Sequence, residues 1–171
     1  TNDSKQDCYL LPVGRRLTEG NFTVNGFAWK PGGKEIAFNR QANPLINSGL
    51  SSDIVILNIA TRELKTLVSN PAGDFINRWS PDGMEFIYNS AVNDSVSNFY
   101  KNNHLYIFNL NTAISREIAQ DIDENKSVID WNIQGLFLSA LEKTKPKLYL
   151  ADPKTGKSKA ITIPLDILGG I

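Results

Sequence analysis

Side chains with catalytic potential are few in this 171-residue chain, which has one histidine and one cysteine. Serine hydrolysis needs a Ser on a tight Gly-x-Ser-x-Gly elbow, a His base and an acid, and the sequence contains no such elbow. His104 falls at the start of a predicted strand, where Asp53 and Lys147 occupy the equivalent positions, and Cys8 stands alone. The sequence therefore predicts no catalytic residue, and we expect that the chain itself is not an enzyme.

Two segments imitate ligand-binding loops. Residues 151–158 resemble a relaxed phosphate loop, but such a loop joins a strand to a helix, and strand-like residues follow here. Residues 121–127 place oxygen atoms at alternate positions, as a calcium loop would, but Lys126 occupies the sharp-turn Gly position and Asn132 the place of the bidentate Glu. We expect a hairpin turn and an acidic connection at these places, with no metal and no cofactor.

The charge balance argues against two classes of partner. Lysine plus arginine equal aspartate plus glutamate at 18 each, so there is no basic surplus for binding nucleic acid or an anionic membrane. No apolar run approaches the roughly 20 residues that a membrane-spanning helix needs. We therefore expect no nucleic-acid partner and no membrane span.

A repeated phrase organises the chain that carries these side chains. Three tryptophans lie 50 and 52 residues apart, and each has a Gly four residues later and an apolar residue seven later. Pro suits a turn position with φ near −65° and Gly a position with φ above zero, so the phrase predicts a hairpin. The third phrase lacks the Pro and is the weakest match. The repeat positions are Trp29, Gly33, Trp79, Pro81, Asp82, Gly83, Trp131 and Gly135.

A second pair of strands follows each phrase. Apolar residues alternate from Ile54, Leu105 and Leu148, and a polar turn leads to a strand that ends 13 residues after each of them. Each unit therefore holds four antiparallel strands, and this content at a period of about 50 residues indicates a β-propeller blade. We predict an all-β chain of about three full blades with partial strands on either side.

Both ends of the chain resemble incomplete blades. We assign residues 1–8 to a tail, 9–23 to a partial blade, 24–70, 71–122 and 123–163 to full blades, and 164–171 to a further blade or tail. A closed ring usually needs about four to eight blades. The count predicts a fragment of a larger propeller, and the alternative is a homodimer in which two copies complete one ring.

The phrase Trp79-Ser80-Pro81-Asp82-Gly83, with Phe86 and Tyr88 beyond it, resembles the repeat of TolB-like, WD40-like propellers. The same repeat builds the N-terminal propeller of the prolyl oligopeptidase and dipeptidyl peptidase IV group of serine peptidases. The resemblance covers roughly residues 9–162. It implies binding at one face or access control over a central channel, with any catalytic triad in a separate domain. It also implies an exported, periplasmic protein.

Two long loops carry the candidate ligand contacts. Residues 39–52 and 89–103 join the second and third strands of the first two blades, and we expect them to form a raised rim. Phe99 and Tyr100 are candidate contact anchors, with packing onto the blade as the alternative, and Arg40 is a candidate charge for a ligand. The leading prediction is a non-catalytic module that binds a protein or peptide. The alternative is the substrate-gating propeller of a prolyl oligopeptidase-like serine peptidase.

Overall fold

The computed structural model describes residues 14–91 and 102–162, which form twelve strands and one short 3₁₀ turn at Ile46–Ser51. Blade 1 comprises β1 (Thr23–Trp29), β2 (Glu35–Gln41), β3 (Asp53–Asn58) and β4 (Leu64–Val68). Blade 2 comprises β5 (Asp74–Trp79), β6 (Glu85–Ser90), β7 (His104–Asn109) and β8 (Ile114–Ile118). Blade 3 comprises β9 (Lys126–Asn132), β10 (Gly135–Glu142), β11 (Lys145–Ala151) and β12 (Ser158–Ile161).

Each set of four strands pairs in chain order as one antiparallel sheet. This confirms the prediction of an all-β chain with three four-stranded blades. The first strand of each blade lies innermost, because β1 contacts β5 and β5 contacts β9. The blades therefore fan out from a shared axis as an open arc, which is part of a propeller.

The hydrophobic core lies between blades rather than inside one sheet. Side chains alternate between the two faces of a strand, so each blade has apolar residues on both faces and buries them by stacking. One cluster joins blades 1 and 2, with Ile54 and Ile56 against Phe86 and Tyr88. A second joins blades 2 and 3 through a set that includes Ile87, Ile107, Leu136 and Leu138.

Two of the three repeated tryptophans are buried at the inner ends of these junctions. Trp79 is 4% exposed, packs edge-on against Phe86 at 5.2 Å between ring centroids, and donates from Nε1 to the carbonyl of Ala28 at 3.1 Å. Trp131 is 7% exposed at the junction of blades 2 and 3. Trp29 holds the same position in blade 1, where no described blade precedes it, and its side chain is 52% exposed.

The turns after Trp29 and Trp79 have the conformation that their glycines predict. Gly33 and Gly83 have φ values of 67° and 69°, in the left-handed region that a side chain disfavours. In the second turn, Ser80 Oγ donates to Asp82 Oδ1 at 2.6 Å, and this bond and the amide of Met84 hold the pKa of Asp82 below its usual value.

Blade 3 departs from the alignment of the repeats. Its hairpin has only Ile133 and Gln134 between the strands, so Gly135 is the first residue of β10 and not part of the turn. Trp131 therefore pairs with Leu136, five residues later, where the other two tryptophans pair seven residues later. The equivalence of Gly135 with the turn glycines, drawn from spacing alone, is wrong. Gly135 has a φ of 137°, and a Cβ on it would lie 3.0 Å from the carbonyl oxygen of Ala151, so its conformation and its close contact both favour glycine.

The residues before blade 1 cover its outward face. Residues 14–22, the described portion of the predicted partial blade, contain no strand. Leu17 and Phe22 instead pack against the apolar cluster of Phe38, Val55 and Leu57. Residues 1–13 and 163–171, which include Cys8, lie outside the described residues. The limits assigned to the blades and the completion of a ring stay predictions.

Candidate functional site

A groove of about 410 Å³ opens on the axis side of the three blades. The ends of the inner strands β1, β5 and β9 form it, together with the turns after the tryptophans. Within the described chain, each of these strands has a hydrogen-bonded neighbour on one side only, so one backbone edge of each has no strand partner. The principal lining residues of this channel-side groove are Phe27, Trp29, Asn77, Arg78, Trp79 and Asp130.

Two aromatic side chains form the apolar wall of the groove. Phe27 is 63% exposed and Trp29 is 52% exposed, although both belong to the inner strand of a well-packed blade. An exposed aromatic ring offers a large contact area with little conformational freedom to lose on binding. The wall can therefore accept an apolar side chain of a ligand.

Charged and amide groups also line the groove. Arg78 Nη1 lies 3.3 Å from Asp130 Oδ1 and bridges blades 2 and 3, with both side chains nearly half exposed. Asp130 also accepts a hydrogen bond from Asn132 Nδ2 at 3.1 Å. Asn77 Nδ2 donates to Asn89 Oδ1 at 2.6 Å. The groove therefore presents a guanidinium, a carboxylate and an amide within reach of solvent.

Irregular pairing shapes these inner strands. In each blade the register between the first two strands shifts near the tryptophan, leaving one extra residue on the inner strand. The extra residues are Gly26, Asn77 and Ile129. A bulge turns neighbouring side chains out of regular alternation and is common at functional sites. The sequence alone does not identify Phe27, Asn77, Arg78 or Asp130 as groove residues. Arg78 and Asp130 carry a signal in the sequence, since each is a charged residue directly before a repeat tryptophan, whereas Phe27 and Asn77 do not share it.

Of the three predicted ligand contacts, the structure describes Arg40. Arg40 lies on β2, where Nη2 contacts Asp53 Oδ2 at 2.9 Å and Thr66 Oγ1 at 3.5 Å, so its guanidinium links three strands of blade 1. Phe99 and Tyr100 lie outside the described residues, and their role as contact anchors stays a prediction. Arg40 lies outside the channel-side groove and lines a separate pocket with Asp53, and its role as a charge for a ligand stays a prediction.

The segments that imitate ligand loops are connections within and between blades. In the turn from β11 to β12, Asp152 accepts from the amide of Lys154 at 2.8 Å and from Thr155 Oγ1 at 3.0 Å. In the predicted acidic connection, Asp121 Oδ2 accepts from the amide of Ser158 at 2.8 Å. Lys126 Nζ donates to the carbonyl of Ile122 at 3.0 Å. The described His, Cys, Asp and Glu side chains include no group of three that could hold a metal ion.

The single histidine belongs to a polar cluster at the edge of blade 2. His104 Nδ1 lies 2.6 Å from Glu117 Oε1, and Gln120 Nε2 donates to Glu117 Oε2 at 2.8 Å. Burial raises the pKa of Glu117, but the hydrogen bonds from His104 and Gln120 outweigh burial and hold this pKa below its usual value. The cluster provides an acid and an imidazole, but the sequence offers no Gly-x-Ser-x-Gly nucleophile for them to activate.

Comparison with known proteins matches the fold but not the sequence. No protein-family model matches the chain, and no curated protein matches it. Among solved structures, TolB from Acinetobacter baumannii gives a TM-score of 0.63 at 17% identity, over 88% of this chain and 35% of TolB. An oligogalacturonate lyase from Vibrio parahaemolyticus gives 0.65 at 13% identity, over 84% of this chain and 42% of the lyase. A prolyl endopeptidase gives 0.62 at 13% identity, over 87% of this chain and 23% of the enzyme.

These likenesses define the class of protein. The chain is an open, partial β-propeller, and it spans less than half the length of each of the three proteins named. Its blades have the TolB-like form, which the peptidase propellers share, and this confirms the resemblance carried by the Trp-Ser-Pro-Asp-Gly phrase. In the part of the chain that the structure describes, no helix has the length and apolar character to cross a membrane.

Proposed function

We propose that the chain is a non-catalytic propeller module that binds an extended peptide or protein segment in the channel-side groove. The observation that carries this proposal is the solvent-exposed Phe27, 63% exposed, facing a groove that also holds the Arg78–Asp130 ion pair. Recognition sites in proteins combine an apolar wall with a few polar groups that fix orientation. An exposed aromatic ring without a ligand leaves apolar surface in water that a partner would cover.

An extended peptide suits this groove better than a compact ligand. The inner strands β1, β5 and β9 each have one edge without a strand partner in the described chain. A peptide can donate to and accept from such an edge with its main chain while its side chains enter neighbouring pockets. The bulged strands hold the side chains that line the groove. The ligand gains its affinity from Phe27 and its orientation from Arg78 and Asp130.

Truncation of the aromatic wall tests the proposal. Peptides enriched from a random library on the immobilised chain would be labelled with fluorescein, and their affinities measured by fluorescence anisotropy. We expect Phe27→Ala to weaken binding by about fivefold or more, because loss of an aromatic anchor removes at least about 1 kcal/mol of binding free energy. Retention of the same affinity by this variant, or a library that enriches nothing, would count against the groove.

The chain offers a matched control for this substitution. Ile114, on the outermost strand β8, is also 63% exposed but lies far from the groove along the blade. Ile114→Ala removes exposed apolar surface of similar kind and should leave the peptide affinity unchanged. Equal losses for both variants would indicate nonspecific hydrophobic adsorption rather than a site.

A second candidate function is substrate gating in a serine peptidase, and the likeness to a prolyl endopeptidase over 87% of this chain favours it. In that case the groove would bind peptide substrate, and hydrolysis would occur in another domain of a longer protein. The full-length protein should then react with a fluorophosphonate probe at a serine outside residues 1–171. A full-length protein that neither reacts with the probe nor cleaves peptides would remove this candidate and leave the binding module.

The proposal also covers the location of the protein and the source of the remaining blades. We place the protein in the periplasm or another exported location, and we take a longer chain as the source of the remaining blades. A homodimer that completes one ring is the alternative. Light scattering of the 171-residue chain separates the two, because a monomer mass excludes the dimer.

A further inference from the structure

Among the arginines of the described strands, Arg78 makes the fewest polar contacts. Arg40 contacts both Asp53 and Thr66, and Arg116 forms a bidentate pair with Glu85 and also donates to the carbonyl of Pro153. Arg78 has one polar partner among the described residues, Asp130, at 3.3 Å through a single nitrogen. A guanidinium carries five N–H donors in a planar fork, so Arg78 retains unused donors beside the groove.

Asp130 does not depend on Arg78 for its hydrogen bonding. Its second carboxylate oxygen accepts from Asn132 Nδ2 at 3.1 Å, and its side chain is 45% exposed, so water reaches it. Ion pairs of this exposure contribute little to stability. A ligand carboxylate can therefore replace Asp130 as the partner of Arg78, and a bidentate pair with the guanidinium is geometrically better than the single contact it replaces.

The apolar wall is part of the same groove. Phe27 and Trp29 line it together with Arg78, so a ligand can place an apolar side chain and a carboxylate in the groove at once. We propose that Arg78 is the receptor for a carboxylate of a bound peptide whose neighbouring side chain is apolar. This inference rests on the proposed function and names the ligand chemistry of that site. Two sources provide such a carboxylate: the C-terminus of a peptide, or an internal Asp or Glu.

Fluorescein-labelled pentapeptides separate these sources. One pair is Gly-Ser-Ala-Leu-Phe with a free C-terminus and its C-terminal amide. A second pair, both amidated, is Gly-Ser-Glu-Leu-Phe and Gly-Ser-Gln-Leu-Phe. We expect the charged member of at least one pair to bind the full chain about tenfold tighter than its neutral partner, as a charge-assisted contact predicts. A preference in the first pair assigns the C-terminus, and one in the second assigns an acidic side chain.

Three variants connect this preference to Arg78. Arg78→Gln should abolish the difference within the pair, whereas Arg15→Gln, which changes an exposed arginine before blade 1, should preserve it. Asp130→Asn removes the competing carboxylate and should strengthen binding of the charged peptide severalfold. Because the Asp130 variant predicts a gain, it remains informative if the Arg78 variant fails to fold, which circular dichroism would reveal.

The possible failures are distinguishable. If both members of each pair bind equally and Phe27→Ala still weakens binding, the carboxylate inference is overturned and the peptide-binding groove stands. Weaker binding of the charged peptide to Asp130→Asn would overturn it as well. If none of the pentapeptides binds, the inference fails, whereas the proposed function is judged separately by the library selection.

Discussion

Replacing Trp79 with alanine is expected to lower the free energy of unfolding by about 3–5 kcal/mol, the range for deleting a large aromatic side chain from a packed core. The indole is 4% exposed and packs edge-on against Phe86, and its Nε1 donates to the carbonyl of Ala28 in the preceding blade. Its removal leaves a cavity between blades 1 and 2 and takes away one hydrogen bond to the carbonyl of Ala28. Urea unfolding followed by far-ultraviolet circular dichroism measures the change.

The same substitution at Trp29 is the matched control, because the two tryptophans occupy equivalent positions in successive blades. Trp29 is 52% exposed, and no described blade packs on its outward side. Trp29→Ala should therefore lower the free energy of unfolding by no more than about 1 kcal/mol, as for surface substitutions that leave little cavity. Similar losses for both variants would mean that the stacking of blade 2 on blade 1 does not provide the stability assigned to it.

The contrast between the two tryptophans also indicates what a repeat in sequence can predict. The phrase around each Trp contains the turn chemistry and the alternation of a hairpin, and these local preferences agree with the global fold. The four strands and their order were therefore predictable. The exposure of Trp29 was not, because it depends on the neighbouring blade and not on the phrase itself.

The third blade shows where spacing misleads. Gly135 lies four residues after Trp131, as Gly33 and Gly83 follow their tryptophans. Trp131 nevertheless pairs with the residue five positions later, where the other two tryptophans pair with the residue seven positions later. An apolar residue occurs at both possible pairing positions, so the sequence satisfies either register. In the observed register Gly135 has a φ of 137°, which side chains disfavour, and a Cβ there would lie 3.0 Å from the carbonyl oxygen of Ala151.

The groove was harder to predict than the fold for a related reason. Arg78 and Asp130 are 52 residues apart in the chain and meet only because blades 2 and 3 share an axis. A bulge beside each also breaks the alternation from which the direction of a side chain is predicted. The charge of Arg40 at the start of a loop is visible in the sequence, whereas its ion pair with Asp53 is not.

Asp74 is a buried carboxyl at the junction of blades 1 and 2. Its side chain is fully buried, and it accepts hydrogen bonds from Ser90 Oγ at 2.6 Å and from Asn70 Nδ2 at 2.8 Å. The Asp74 carbonyl also accepts from Ser52 Oγ at 2.9 Å, which fixes the end of the loop after β2. Burial outweighs the two donors and raises the pKa of Asp74 from 3.8 to about 6.

The stability of the chain should therefore fall as this carboxyl ionises. Because the folded pKa lies above the unfolded value, the folded state holds the proton more tightly, and Asp74 contributes its full stabilisation below about pH 3.8 and loses it as the pH rises through about 6. A shift of this size corresponds to about 3 kcal/mol in total, of which about 2 kcal/mol falls between about pH 4.5 and 7.5. Asp74→Asn removes the titrating group, so the loss of stability over that interval should be about 2 kcal/mol smaller than in the unmodified chain.

Comparison of variants is needed because other carboxyls act in the opposite direction. Burial raises the pKa of Glu85, but its hydrogen bonds with Arg116 and Asn109 hold this pKa below the usual value. The contribution of Glu85 to the free energy of unfolding is therefore lost only at lower pH. Asp152→Asn is the control, since the turn amide of Lys154 and Thr155 Oγ1 hold the pKa of this exposed carboxyl below its usual value. That variant should change with pH over the interval as the unmodified chain does. If Asp74→Asn also followed the same profile, Asp74 would remain ionised in the folded protein throughout, and its two donors would outweigh its burial.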